Sequence, residues 1–232
     1  MNMSIQKKIV LANLKAYRSP KQVEQWCGTF LAALHTVPET MEIVLAVPDM
    51  ALERAFAQIQ GRRGISLAAQ ALSSFPQGSY TGSTPAAWLR GLVRYSLAGH
   101  RERRTYFHEG VQDVAKQVHE ALVEEIIPII CVGGEYFHQQ LAALSYEERE
   151  QVCWAFTPEV ELPLILRRDL PVITDAVAKI GQLSGKRPVF YGGGVTLENS
   201  GTLWSIPGIS GIMAAGASLD ALAFTSLVQR LL

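Results

Sequence analysis

Cysteine, charge and long apolar runs are all scarce in this chain of 232 residues. Its three cysteines, Cys27, Cys131 and Cys153, are odd in number and far apart. They form no CxxC pair and no Cys/His spacing of the zinc-binding kind, so no disulfide framework and no metal site is expected. Charged residues make up 18% of the chain, with 21 basic side chains against 21 acidic ones. A net charge of zero argues against a nucleic-acid partner held by bulk phosphate neutralisation. No uncharged stretch reaches the roughly 18 apolar residues of a membrane span, so no membrane partner is expected. The opening MNMSIQKKIV lacks the apolar centre of a secretory leader, and a cytoplasmic location is the expectation. With 48% hydrophobic residues, the low charge implies a large buried interior and excludes a disordered chain.

Short apolar runs of strand character recur along the whole length. They start near Ile9, Ile43, Ile65, Tyr95, Pro128, Val152, Pro188 and Ile209, one per 29 residues on average. That spacing suits one strand plus one crossover helix, and near-continuous apolar strands imply parallel pairing with both faces buried. Ser19-Pro20 and Thr84-Pro85 each place a hydroxyl before a proline, a helix-start pattern. Segment 109–125 carries Val111, Val114, Val118, Ala121 and Leu122 at helical period, and segment 218–232 repeats the pattern. No linker or composition break divides the chain. The expected fold is α/β: one (β/α)8 barrel over residues 1–232 with an eight-stranded parallel core. The alternative, an open doubly wound sheet, favours a glycine fingerprint after the first strand, and ANLKAY has none.

In such a barrel the chemistry sits at the C-terminal ends of the strands. The polar and glycine-bearing residues there are Asn13, Lys15, Gln70, His100, Glu102, Gly133-Gly134-Glu135, Gly192-Gly193-Gly194 and Ala214-Ala215-Gly216. A lysine supplies a fixed positive charge and a histidine a proton shuttle. Glycine turns expose backbone N–H groups to an anion. Together they suit a small phosphorylated or carboxylated substrate, with no cofactor called for.

These residues carry a resemblance. VLANLKAY, AAQ at 68–70, GSYTGS at 78–83, LAGHRERR, PIICVGGE, YGGGVTLEN and MAAGASLD follow in order, and the chain resembles the triosephosphate isomerase family, particularly its short archaeal forms. The likeness covers nearly everything except about 136–187. It implies a TIM barrel and aldose–ketose isomerisation of a small sugar phosphate through an enediolate, within carbohydrate metabolism. By that resemblance Lys15 pairs with the phosphate and the developing enediolate, and Asn13 orients Lys15. His100 polarises the carbonyl as a neutral imidazole, Glu102 holds Lys15, and Gly193, Gly194, Ala215 and Gly216 offer N–H groups to phosphate. It also implies a homodimer in which loop 78–83 docks into a partner near Lys15. Arg103 and Arg104 read as rim salt bridges.

The chain departs from the family pattern where proton abstraction belongs. The family's catalytic carboxylate lies in an A-x-E-P stretch after strand six, and the best match here is Ala155-Phe156-Thr157-Pro158. A threonine hydroxyl has no useful basicity near neutral pH. Glu159 or Glu161 falls on the same side of an extended strand as Thr157 and is a candidate substitute base. A second register, Val160-Glu161-Leu162-Pro163, puts Glu161 at the base position but requires Pro158 inside a central strand. The lid's G-T-G-like stretch is replaced by EVELPLILRRD, Arg101 follows His100 where a small serine is usual, and Gly194 also replaces a serine. Three functional readings follow: a slow isomerase, an isomerase-inactive barrel that keeps an anion pocket, and a different lyase or isomerase using Lys15 and His100 alone.

Overall fold

The computed structural model describes residues 7–158 and 166–232. Each apolar run becomes a strand starting within two residues of its expected position. The strands are β1 (Lys8–Asn13), β2 (Met41–Val47), β3 (Ile65–Ala69), β4 (Tyr95–Ala98), β5 (Ile127–Val132), β6 (Cys153–Phe156), β7 (Val189–Tyr191) and β8 (Ile209–Ala214). All neighbours pair in parallel, and β8 pairs back onto β1 to close the barrel. The helices between and after them are α1 (Pro20–Ala33), α2 (Leu52–Ile59), α3 (Arg101–Phe107), α4 (Val111–Val123), α5 (Tyr136–Ala142), α6 (Tyr146–Arg149), α7 (Leu166–Leu183), α8 (Leu197–Trp204) and α9 (Ala221–Leu231).

Local signals explain several boundaries. Ser19 caps α1 by accepting from the Gln22 N–H, while Gln22 Oε1 accepts from the Ser19 N–H at 2.9 Å, and Pro20 occupies the first helical turn. The second hydroxyl–proline pair does not start a helix of that kind. Only a single 3₁₀ turn, Ala86–Trp88, follows Pro85, because the Thr84 hydroxyl donates to Asp49 Oδ2 at 2.8 Å and does not cap.

Alternation along the strands separates two cores. Residues facing the helices build the outer core, with Trp26, Phe30 and Phe224 in ring contact between α1 and α9. The inward residues, including Ile9, Leu11, Ala46, Leu97, Cys131, Cys153, Ala155, Phe190 and Met213, fill the barrel itself. Its floor holds one buried carboxylate: Glu42 accepts from Ser66 Oγ at 2.6 Å and from Tyr95 Oη at 3.0 Å. Its packing satisfies a buried charge and leaves the opposite end for chemistry.

Carried one step further, the two-residue period places Asn13, Gln70, Gly99, Gly133, Thr157, Gly192 and Ala215 above the inward rows. Three of these are glycines, so the top of the barrel is hollow where the floor is filled.

Candidate functional site

Two cavities lie at the rim among the described residues. The larger, about 720 Å³, is bounded by Asn13, Lys15, His100, Gly193, Gly194, Ala215 and Gly216. Every candidate phosphate-binding residue of the sequence therefore faces one space, together with the lysine and the histidine. The smaller, about 460 Å³, is lined by Gly99, Arg101, Arg104, Cys131, Tyr136 and Thr157. Thr157 thus faces the second space, not the first. Glu159 and Glu161 lie outside the described residues.

Lys15 is held in an unusual backbone state, left-handed at φ 50°. For a residue with a Cβ this costs roughly 1–2 kcal/mol. Asn13, buried at the end of β1, offsets it by accepting the Lys15 N–H on Oδ1 at 3.1 Å. Gln70 Nε2 adds bonds to the Lys15 carbonyl at 3.2 Å and the Ala46 carbonyl at 3.0 Å. At about 1 kcal/mol net per bond, these contacts match the strain. Gln70 stood in the sequence only as a rim residue; its grip on the Lys15 turn depends on a side chain crossing to another strand, which no spacing reveals.

Lys15 Nζ lies 2.6 Å from Glu102 Oε1, with the side chains 17% and 32% exposed. A pair that open to water contributes little to stability, so its consequence is the direction in which it fixes the ammonium. Glu102 serves the histidine as well. Its backbone N–H donates to His100 Nδ1 at 3.3 Å, closer than its own Oε2 at 3.5 Å, and this bond caps α3. An imidazole accepting at Nδ1 carries its neutral-form proton on Nε2.

The opposite wall is made of backbone. Gly194 has φ 55°, and its carbonyl accepts from Asn199 Nδ2 at 2.8 Å. A Cβ on Gly193 would stand 2.9 Å from the Tyr191 hydroxyl and 3.1 Å from Pro158, so only glycine fits that turn. Ser218, not singled out in the sequence, donates its hydroxyl to the Ala215 carbonyl at 2.8 Å and fixes the turn at 215–216. The N–H groups of Gly193, Gly194 and Gly216 have no acceptor among the described residues. Glu198 stands exposed at the edge of the cavity, its carboxyl held below the usual range by the Thr196 hydroxyl. It adds one negative charge near the N–H groups.

Around the smaller cavity, Arg103 makes the rim ion pair expected of it, with Glu109 at 2.7 Å. Arg104 does not. Its Nε donates inward to the Gly99 carbonyl at 2.8 Å, its Nη2 to Gln140 Oε1 at 3.0 Å, and its guanidinium stacks 4.3 Å from the Tyr136 ring. A Cβ on Gly99 would fall 2.4 Å from Nη2, so the missing side chain is what lets Arg104 turn in. Thr157, buried, donates its N–H to the Val132 carbonyl at 2.9 Å and lies in register with the inward Cys153 and Ala155. Cys131 and Cys153 are free, and burial pushes both thiols up to about 12.

Loop 78–83 is mostly exposed. It is closed at its base by the Ser73 N–H donating to the Thr84 carbonyl at 2.9 Å, and Tyr80 stacks on Phe75 with centroids 4.5 Å apart. No described helix is long and apolar enough to cross a membrane.

Known proteins share this sequence pattern and this fold. The model of a family described as triosephosphate isomerase matches residues 8–156 and 170–231. A protein of Symbiobacterium thermophilum named triosephosphate isomerase is 30% identical over 245 residues, covering 94% of each chain. One of Delftia acidovorans with the same name is 31% identical over 208 residues, 80% of this chain and 84% of its own. The crystal structure of triosephosphate isomerase from Bartonella henselae superposes with a TM-score of 0.82 at 24% identity, over 96% of this chain and 98% of that one.

Proposed function

The chain belongs to the triosephosphate isomerase family, and on that premise we propose that it binds a small sugar phosphate in the larger cavity and isomerises it slowly through an enediolate. The phosphate takes the N–H groups of Gly193, Gly194 and Gly216, with Ala215 completing that turn. Lys15 supplies the counter-charge, aimed by Glu102 and Asn13. His100 donates from Nε2 to the substrate carbonyl and then moves a proton between the adjacent oxygens.

The observation that carries this reading is the double use of Glu102. One residue fixes the Lys15 ammonium through Oε1 at 2.6 Å and the His100 tautomer through its N–H at 3.3 Å. A merely structural lysine and histidine require no such shared orientation.

The rate follows from Thr157. On the register that matches Ala155–Pro158 to the family's A-x-E-P stretch it takes the base position, and a positioned general base contributes typically about 10²–10⁴-fold. The same threonine favours a second reading, a barrel that keeps the anion pocket without isomerase activity. Deuterium incorporation at the C1 carbon of dihydroxyacetone phosphate in D2O, followed by NMR, separates the two. Exchange that Lys15→Ala abolishes supports the slow isomerase. Phosphate binding with no exchange above the Lys15→Ala background supports the second reading.

We also propose a homodimer through loop 78–83. The Phe75–Tyr80 stack, each ring about 40% exposed, gives the loop an apolar tip that suits burial against a partner. Light scattering at micromolar concentration is expected to give twice the chain's 25.4 kDa, and a monodisperse particle at 25.4 kDa overturns the proposal. A cytoplasmic setting fits a soluble sugar-phosphate substrate.

A further inference from the structure

Lys15 stands near the start of the chain and the turn at 215–216 near its end, yet both face the larger cavity. Two side chains outside that cavity's lining join them. The Trp26 indole, on α1, donates to the Ser218 carbonyl at 3.0 Å, and Arg18 Nη2 donates to the Leu219 carbonyl. Both carbonyls lie at the end of the single 3₁₀ turn Gly216–Ser218, and α9 begins only at Ala221. No backbone N–H among the described residues reaches either one. Without these two donors the end of the turn loses its partners and is no longer fixed.

The donors are themselves held. Trp26 is buried in ring contact with Phe30 and Phe224, the latter on α9. Arg18 is half-buried, three residues after Lys15 and just before the Ser19 cap of α1. Ser218 completes the link, because its hydroxyl donates to the Ala215 carbonyl at 2.8 Å while its own carbonyl accepts from Trp26. The contacts thus run from α1 through Ser218 to Ala215, the residue before Gly216. The other glycine turn is pinned separately, by Asn199 Nδ2 on the Gly194 carbonyl at 2.8 Å. The two turns can therefore be disturbed one at a time.

We propose that Arg18 and Trp26 are positioning residues for the anion site. They set where the Gly216 N–H stands relative to the Lys15 ammonium, so that both meet one phosphate. Neither touches the ligand. The inference rests on the reading of the larger cavity as a phosphate site.

Amide NMR at saturating glycerol 3-phosphate reads the two turns separately, and calorimetry gives the affinity. In wild type the ligand is expected to shift the N–H resonances of Gly193, Gly194 and Gly216. Trp26→Phe keeps the ring packing and the net charge but removes the indole N–H. It is expected to weaken binding by about tenfold, the low end for one charge-assisted hydrogen bond. The Gly216 shift is expected to shrink while Gly193 and Gly194 shift as before. Arg18→Met is expected to act in the same way, and it decides the matter if Trp26→Phe does not fold. Phe30→Leu loosens the same aromatic cluster but removes no bond to Ser218, so it is expected to bind like wild type. A loss under about threefold in every folded variant, or an equal loss in Phe30→Leu, overturns the proposal. If wild type shows no shift at any of the three glycines, the phosphate reading is wrong and the positioning role falls with it.

Discussion

Two arcs of the same rim are built differently. Along β7, β8 and β1 the turns at 193–194 and 215–216 turn backbone N–H groups toward Lys15, each turn pinned by a side chain, Asn199 or Ser218. Along β4 and β6 the sequence departs from the family pattern at single positions: Arg101 follows His100, and Thr157 follows the sixth strand. The family match runs through β4 and β5 and breaks just after β6, ending at 156 and resuming at 170. On the proposed reading, holding a phosphate and moving a carbon-bound proton are separable tasks on this scaffold. The barrel beneath is indifferent to which residues crown it.

The largest expected effect comes from placing a carboxylate at position 157. Thr157→Glu is expected to raise triose-phosphate turnover by about 10²–10⁴-fold, the range of a positioned general base. A coupled spectrophotometric assay reads it. A folded variant with no gain means that the altered arc differs by more than one carboxylate.

The intact arc is broken most simply at Lys15. Lys15→Ala is expected to weaken the binding of a sugar phosphate by a factor of about 10 to 150, the loss of one charge-assisted hydrogen bond of roughly 1.5–3 kcal/mol. Calorimetry checks this. Unchanged affinity would mean that the glycine turns bind alone.

The smallest effect asks whether the altered arc is also loosely packed. Burial raises the Cys27, Cys131 and Cys153 thiols from 9.0 to about 12. Below pH 9 all three are protonated folded or unfolded, and they cost nothing. Above it the unfolded chain releases protons that the native chain keeps, so stability is expected to fall from pH 9 toward 12. Native protein at pH 8 is expected to resist iodoacetamide at all three sites until denaturant unfolds it. Fast native labelling of Cys131 or Cys153 would place a packing defect beneath the altered arc.

Much of this architecture was legible in the residues. The eight strands were, because each is buried on both faces and its apolar run is unbroken. The rim residues were too, since polar side chains and glycines end those runs and follow the family's order. What escaped depends on side chains that cross between elements. The left-handed Lys15 turn relies on Gln70, just after β3. Arg104 reads as a rim salt bridge like Arg103, and only the open backbone at Gly99 lets it point in. Thr84-Pro85 reads as a helix start, but its hydroxyl is drawn to Asp49.

Steady-state turnover of glyceraldehyde 3-phosphate by the pure wild-type protein, with Lys15→Ala as the contamination control, tests most directly whether the two arcs have come apart. The expected result is a rate about 10²–10⁴-fold below that of a family member with its carboxylate in place. Fast turnover that Glu159→Gln or Glu161→Gln abolishes would contradict it and would make that glutamate the base.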